Sequence, residues 1–155
     1  MKFFFFSSFL SLFFQDESKL LETVNISVVV DSKEGPRFPV LKNANFLGLL
    51  DVAQTLKDAL SNAPQVPDVA GSFRISDFGG SGVTSASEIL DTVSASALSI
   101  SAPRKVPQIQ EDGSIKFSTV ATLTLSADAR TVDPEVAERF LLTIQKLLAS
   151  PTTLL

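Results

Sequence analysis

The chain contains no cysteine, histidine, tryptophan or tyrosine, and only one methionine. Without Cys and His there is no thiol nucleophile, no Ser-His-Asp triad, no thiol redox pair and no His/Cys zinc site. Disulfides are excluded too, so cysteine usage says nothing about the redox compartment. The side chain that usually moves protons near neutral pH is missing. An enzyme built from these residues would have to work with carboxylates, lysine, arginine and hydroxyls. Basic charge is scarce as well: 13 Lys and Arg face 17 Asp and Glu, a formal net charge of -4. Gripping duplex nucleic acid takes a dense basic face, so no nucleic-acid partner is expected.

What remains is apolar. Of 155 residues, 45% are hydrophobic and 19% charged, enough for one domain with a core of its own. Seven of the 13 phenylalanines lie between Phe3 and Phe14, behind Met1-Lys2, in a run broken only by Ser7, Ser8 and Ser11. Twelve residues at a helical rise of about 1.5 Å reach only ~18 Å, short of a ~30 Å hydrocarbon core. One positive charge followed by a short apolar stretch has the shape of a secretory signal. Residues 1–15 are therefore expected to be a signal peptide or an uncleaved apolar tail, and the protein to be secreted or extracytoplasmic.

Residues 24–155 read as a single α+β domain. Val24, Ile26, Val28 and Val30 alternate with Asn25, Ser27 and Asp31, the period of a strand. Gly35, Pro36 and Pro39 make Ser32 to Asn45 a loop. Phe46, Leu49, Leu50, Ala53, Leu56 and Leu60 then recur at helical spacing, with Asn45 as the expected N-cap and Pro64 as the stop. Phe73 and Ile75 alternate with Arg74 and Ser76 in a second strand that ends at Gly79-Gly80-Ser81-Gly82. Ser85 to Ile100 predicts a strand with a phase slip near Ala97. Pro103 to Asp112 reads as a loop closed by Asp112-Gly113. From Ile115 to Ala127 one parity is almost wholly apolar and the other almost wholly polar. A single strand of that length would run roughly 43 Å, beyond the usual ~17–20 Å. Asp133-Pro134 is an N-cap followed by proline at the first helical position, opening an amphipathic C-terminal helix with Val136, Phe140, Leu141, Ile144, Leu147 and Leu148 on its apolar face.

No catalytic or metal-ligating set stands out, and no cofactor is called for. Glu111 and Asp112 are adjacent acids beside a turn glycine, whereas a two-carboxylate hydrolase needs its acids held apart across a cleft. Asp77-Phe78-Gly79 matches the kinase metal-binding triplet without the rest of that signature. Gly79-Gly80-Ser81-Gly82 lacks the Gly-Lys-Ser/Thr of a phosphate loop. Arg104-Lys105 is a short basic spot of the kind found on solvated loops.

Val66-Pro67-Asp68-Val69-Ala70-Gly71-Ser72-Phe73-Arg74-Ile75 resembles the run that follows the first helix in the bactericidal/permeability-increasing and lipopolysaccharide-binding proteins. Val24 to Asp31, Phe46 to Ala63, Gly79 to Ser101 and Asp112 to Ser118 resemble other segments of that family, so the likeness spans about residues 24–127. It implies a tubular lipid-binding fold: a long, curved antiparallel sheet wrapped around a helix, with acyl chains inside. It also implies a non-catalytic carrier whose partner is a lipid or other apolar small molecule, with transient membrane contact. On that reading Val28, Val30, Leu49, Leu56, Leu60, Phe73, Ile75, Phe117, Leu123 and Leu125 line the cavity. Gly113-Ser114-Ile115 ahead of a strand is also similar to the sea-urchin-sperm-protein/enterokinase/agrin module, which implies an extracellular structural or adhesion role instead. An enzyme working through carboxylates or lysine is a third reading.

Overall fold

A computed structural model of the chain describes residues 11–14, 17–32, 35–62, 71–90 and 94–150. Residues 1–10 of the N-terminal apolar run lie outside these, as does the first half of the Val66 to Ile75 motif.

At the start, β1 (Ser11–Phe14) and β2 (Glu17–Leu20) form an antiparallel pair. The valine-rich run becomes β3 (Ile26–Ser32). The segment expected to be a loop then folds back along β3 as two short pieces, β4 (Gly35–Arg37) and β5 (Val40–Leu41). These pair with opposite ends of β3, and the Val28 amide donates to the Pro39 carbonyl between them at 2.9 Å. A 3-10 turn at Ala44–Phe46 leads into α1 (Leu49–Asn62). Beyond it lie β6 (Phe73–Asp77), β7 (Ser96–Ile100), β8 (Arg104–Ile109), β9 (Ile115–Val120), β10 (Leu123–Ala127) and α2 (Pro134–Ala149).

The main sheet runs β10-β7-β6-β3-β4, with β5 also on β3, while β8 and β9 form a separate hairpin. The β3–β6 and β6–β7 pairs are parallel, and β7–β10 is antiparallel. The expected long antiparallel sheet wrapped around a helix is thus corrected to a mixed sheet with two helices. Alternation along a strand records which side is wet; it carries no information about the direction of the neighbour.

Register sorts the sheet into two faces. Phe73, Leu98 and Leu125 share a face with Ile26, Val28 and Ile75, and α2 lays its apolar side there. The core consists of Phe73, Leu98, Val132 and Phe140, with Ile75, Leu123, Leu125, Ala127, Val136, Ala137, Leu141 and Ile144 packed against it. Phe140 meets Phe73 edge-on, ring centroids 5.7 Å apart at 66°, the favoured geometry for aromatic pairs. The opposite face carries Ser27, Arg74, Ser76, Ala97, Ser99, Thr124 and Ser126. Ser27, Ser76, Ala97 and Ser99 are buried there.

Three further expectations are corrected. The single long strand from Ile115 to Ala127 is two strands, β9 and β10. Between them the Thr122 amide donates to Ser101 Oγ at 2.6 Å, and the Thr122 carbonyl accepts from the Ser101 amide at 2.9 Å. The alternation continues across this break because both halves have one wetter side. The loop expected at Pro103 to Asp112 contains β8. Asn45 does not cap α1: its side-chain oxygen accepts from the distant Val24 amide at 3.1 Å, and Asp51 receives the Gly48 amide at 3.3 Å. The helix consequently starts later than its apolar spacing predicts. Asp133 does cap α2, accepting from the Glu135 amide at 2.8 Å ahead of Pro134.

Candidate functional site

A hydrogen-bonded polar cluster forms at the turn from β10 into α2. The residue just ahead of β7 anchors its start: the Asp128 amide donates to the Ala95 carbonyl at 2.9 Å. The Asp128 carbonyl accepts from the amides of Thr131 and Val132, both at 2.9 Å, and from Thr131 Oγ1 at 3.1 Å. Val132 is buried behind this turn and Asp133 opens the helix. The Asp128 carboxylate takes the Arg130 amide at 3.0 Å, Nε at 3.0 and 3.1 Å, and Nη2 at 2.6 Å. This two-pronged guanidinium contact is the geometry in which arginine binds carboxylate best.

The Arg130 side chain, and after it the Arg130 backbone amide, hold the Asp128 carboxyl below its ordinary value. A folded carboxyl that titrates below its unfolded value adds stability above the unfolded pKa of about 3.9, and that stability is lost as pH falls through the folded value. Asp128→Asn should therefore cost about 1 kcal/mol at pH 7, and in urea titrations the gap between variant and wild type should narrow as pH falls below the ordinary carboxyl value of about 3.9. A gap unchanged with pH would contradict the ion pair. The same pairing keeps Asp128 ionised and engaged at neutral pH, a poor starting point for taking up a proton.

The other polar groups are dispersed. Asp112 receives the Ser114 amide at 2.9 Å and Ser114 Oγ at 2.6 Å across the exposed β8–β9 turn, and the Ser114 hydroxyl lowers its pKa first. Adjacent Glu111 is exposed on the same turn. Asp77 takes the Gly79 amide at 2.7 Å, a local turn and not a metal site. Gly82, at φ 77, serves the turn that follows. Arg104 donates to the Thr84 carbonyl and to Thr122 Oγ1. Ser76, Ser96 and Ser99 have buried Oγ atoms without a hydrogen-bond partner. Among the described residues no group of three or more carboxylates could hold a metal ion, and no helix is long and apolar enough to cross a membrane.

The residues expected to line a lipid cavity do not form one lining: Val28, Phe73, Ile75, Leu123 and Leu125 share the main sheet's α2 face, whereas Leu49 and Leu56 lie on α1 and Phe117 on the separate hairpin. Phe73, Ile75, Leu123 and Leu125 do come together, around α2. Val28 and Val30 are half-buried on β3 and Leu56 is half-buried on α1. Leu49 and Phe117 are 54% and 65% exposed, on α1 and β9 respectively. The Leu60 side chain lies outside the described residues. Sequence reasoning passed over the Asp128–Arg130 pair, although an acid two residues before an arginine, between a strand and a capped helix, was visible.

Residues 9–155 match the family described as 2-oxoacid dehydrogenases acyltransferase (catalytic domain). The chain is 30% identical over 146 residues to the dihydrolipoyllysine-residue acetyltransferase component of the pyruvate dehydrogenase complex of Rickettsia conorii, covering 91% of this chain and 35% of that protein. It is 31% identical over 145 residues to the mouse (Mus musculus) mitochondrial pyruvate dehydrogenase protein X component, covering 88% of this chain and 29% of that protein. The chain thus spans about a third of the length of these relatives. Its fold superposes on the dihydrolipoamide acetyltransferase of Azotobacter vinelandii with a TM-score of 0.79 at 23% identity, over 96% of this chain and 63% of that one. In that enzyme a serine, a histidine and an asparagine have been studied for their roles in the catalytic mechanism.

These findings overturn several expectations. The resemblance to the bactericidal/permeability-increasing and lipopolysaccharide-binding proteins does not hold. With it go the tubular fold, the non-catalytic lipid carrier and the apolar small-molecule or membrane partner. The adhesion-module alternative falls too, and the expectation of a chain outside the enzyme families is corrected by an acyltransferase match over nearly its whole length. Short Val- and Ser-rich strands next to an amphipathic helix recur in unrelated folds, which is why so motif-poor a likeness misled. The chain belongs to the 2-oxoacid dehydrogenase acyltransferase family, whose catalytic domain it matches over residues 9–155.

Proposed function

We propose that this chain is a core-building domain of a 2-oxoacid dehydrogenase complex, with an architectural role. One observation carries the reading: its 155 residues contain no histidine, while the fold of a dihydrolipoamide acetyltransferase is kept at a TM-score of 0.79. These 155 residues, which cover 63% of that structure's chain, supply no histidine for acyl transfer. Its ordered carboxylate, Asp128, is tied to Arg130, and Asp112 is taken up by a surface turn. The Phe73–Phe140 contact, the capped α2 and the anchored Asp128 turn build the scaffold. Both curated relatives are named components of the pyruvate dehydrogenase complex, which supports a partner of the same kind: the protein subunits of such a core. Mixing this chain with a dihydrolipoyllysine acetyltransferase core should carry it into the heavy fraction on sedimentation. A chain that stays in the light fraction overturns the reading.

A further inference from the structure

The chain has seven glycines, and only Gly113 follows an aspartate; no asparagine precedes a glycine. Asp112-Gly113 lies in the turn between β8 and β9, where both residues and Ser114 are exposed. Gly113 holds φ 80, the left-handed backbone that this turn requires of it. A Cβ built on Gly113 meets nothing within 4 Å, so the space around its nitrogen is open. The missing side chain has a chemical consequence. Nothing on residue 113 shields the backbone nitrogen from the Asp112 carboxyl carbon, and attack by that nitrogen closes a five-membered imide.

Three hydrogen bonds oppose the closure. The Gly113 amide donates to the Gln110 carbonyl at 3.0 Å, engaging the proton that the attacking nitrogen must give up. The Ser114 amide and hydroxyl both donate to Asp112 Oδ1, at 2.9 and 2.6 Å. The hydroxyl first, and the amide after it, favour the charged carboxylate. A carboxylate is a poor electrophile, because it cannot shed an oxygen as water.

We propose that Asp112-Gly113 is a self-modifying site that converts to isoaspartate through a succinimide, with the Ser114 hydroxyl as its brake. In the first step the Gly113 nitrogen gives up its proton and bonds to Cγ of the protonated Asp112 carboxyl. The carboxyl hydroxyl leaves with that proton as water. In the second step water adds back at one of the two imide carbonyls. Opening at Cγ restores aspartate. Opening at the main-chain carbonyl leaves the chain running through Cβ and Cγ, with a free α-carboxylate. Water released equals water consumed, and nothing is oxidised. The isoaspartyl turn carries one more main-chain carbon, so it no longer matches the Gln110 amide to the Ser114 carbonyl, now bonded at 2.8 Å.

The test is prolonged incubation of the purified chain at mildly acidic pH, with circular dichroism as the folding control. Peptide mapping reads the imide as a mass lighter by one water. Methyl incorporation by an isoaspartyl carboxyl methyltransferase reads the final product. The wild type should convert slowly at Asp112, and Ser114→Ala at least about threefold faster. Ser114→Thr, which keeps the hydroxyl, should convert at the wild-type rate. Asp112→Glu, whose imide would need a six-membered ring, should not convert. A folded Ser114→Ala that converts no faster than the wild type overturns the brake. Absence of imide and isoaspartate from the wild type and Ser114→Ala alike overturns the site, as does methyl incorporation that persists undiminished in Asp112→Glu.

Discussion

Phe140→Ala should destabilise the protein by about 3–5 kcal/mol, the usual cost of emptying a buried aromatic site. Phe140 is 6% exposed and is the aromatic contact through which α2 grips the sheet, edge-on to Phe73. Its neighbours Leu98 and Val132 sit on separate elements, a β-strand and the capped turn. They cannot close the space without moving α2 and the Asp128 turn together. A domain of this size commonly has ~5–15 kcal/mol in all, so the variant should be partly unfolded at physiological temperature. Phe140→Leu retains much of the volume and should cost less. Urea denaturation followed by circular dichroism reads both. Equal, small shifts for the two variants would mean that α2 does not depend on this contact.

Gly71→Ala should be nearly as damaging, about 3 kcal/mol, through a different mechanism. A Cβ on Gly71 would stand 2.6 Å from the Cβ and backbone nitrogen of Ser27, closer than real carbon contacts come. The obstacle is backbone, so no side chain can rotate away. The approach occurs where β6 joins β3 in parallel: the Phe73 amide and Ser72 Oγ both donate to the Asn25 carbonyl at 3.3 Å, and Ser94 Oγ donates to the Gly71 carbonyl at 3.2 Å. An added methyl would have to part the two strands at the start of their register. Gly80→Ala is the matched control, since nothing lies within 4 Å of its added Cβ. It should stay within about 0.5 kcal/mol of wild type. Hydrogen exchange at the Phe73 amide should accelerate in Gly71→Ala and remain unchanged in Gly80→Ala. Similar behaviour of the two variants would contradict the close approach.

Much of the local structure was legible in the sequence. Asp133-Pro134 announced α2 because an Asn/Asp/Ser/Thr cap and a proline at the first helical position act through the helix's own backbone. Asp112-Gly113 announced a turn, which Gly113 makes at φ 80. The alternation of Ile26 to Val30 and of Phe73 to Ile75 marked β3 and β6. What the pattern could not supply was partnership. Lys105-Val106-Pro107 reads as loop because proline is a poor strand residue, yet a hairpin outside the main sheet tolerates it. Ser85 to Ile100 reads as one strand with a phase slip near Ala97, yet the strand among the described residues is Ser96–Ile100, with Ser96 and Ser99 buried. A side chain such as Asn45 that bonds a backbone amide far along the chain leaves no periodic trace. The functional reading failed for a similar reason. The missing histidine is visible at once, but its meaning depends on knowing which fold lacks it.

The central claim is that this chain occupies a place in a 2-oxoacid dehydrogenase core. The direct measurement is velocity sedimentation of the fluorescently labelled chain titrated into a dihydrolipoyllysine acetyltransferase core, with Phe140→Ala as the destabilised control. Label should move from the light species into the particle boundary and saturate at a fixed ratio to core subunits, with a smaller fraction entering for the control. Label that remains light at every ratio, while the wild-type chain is folded, contradicts it.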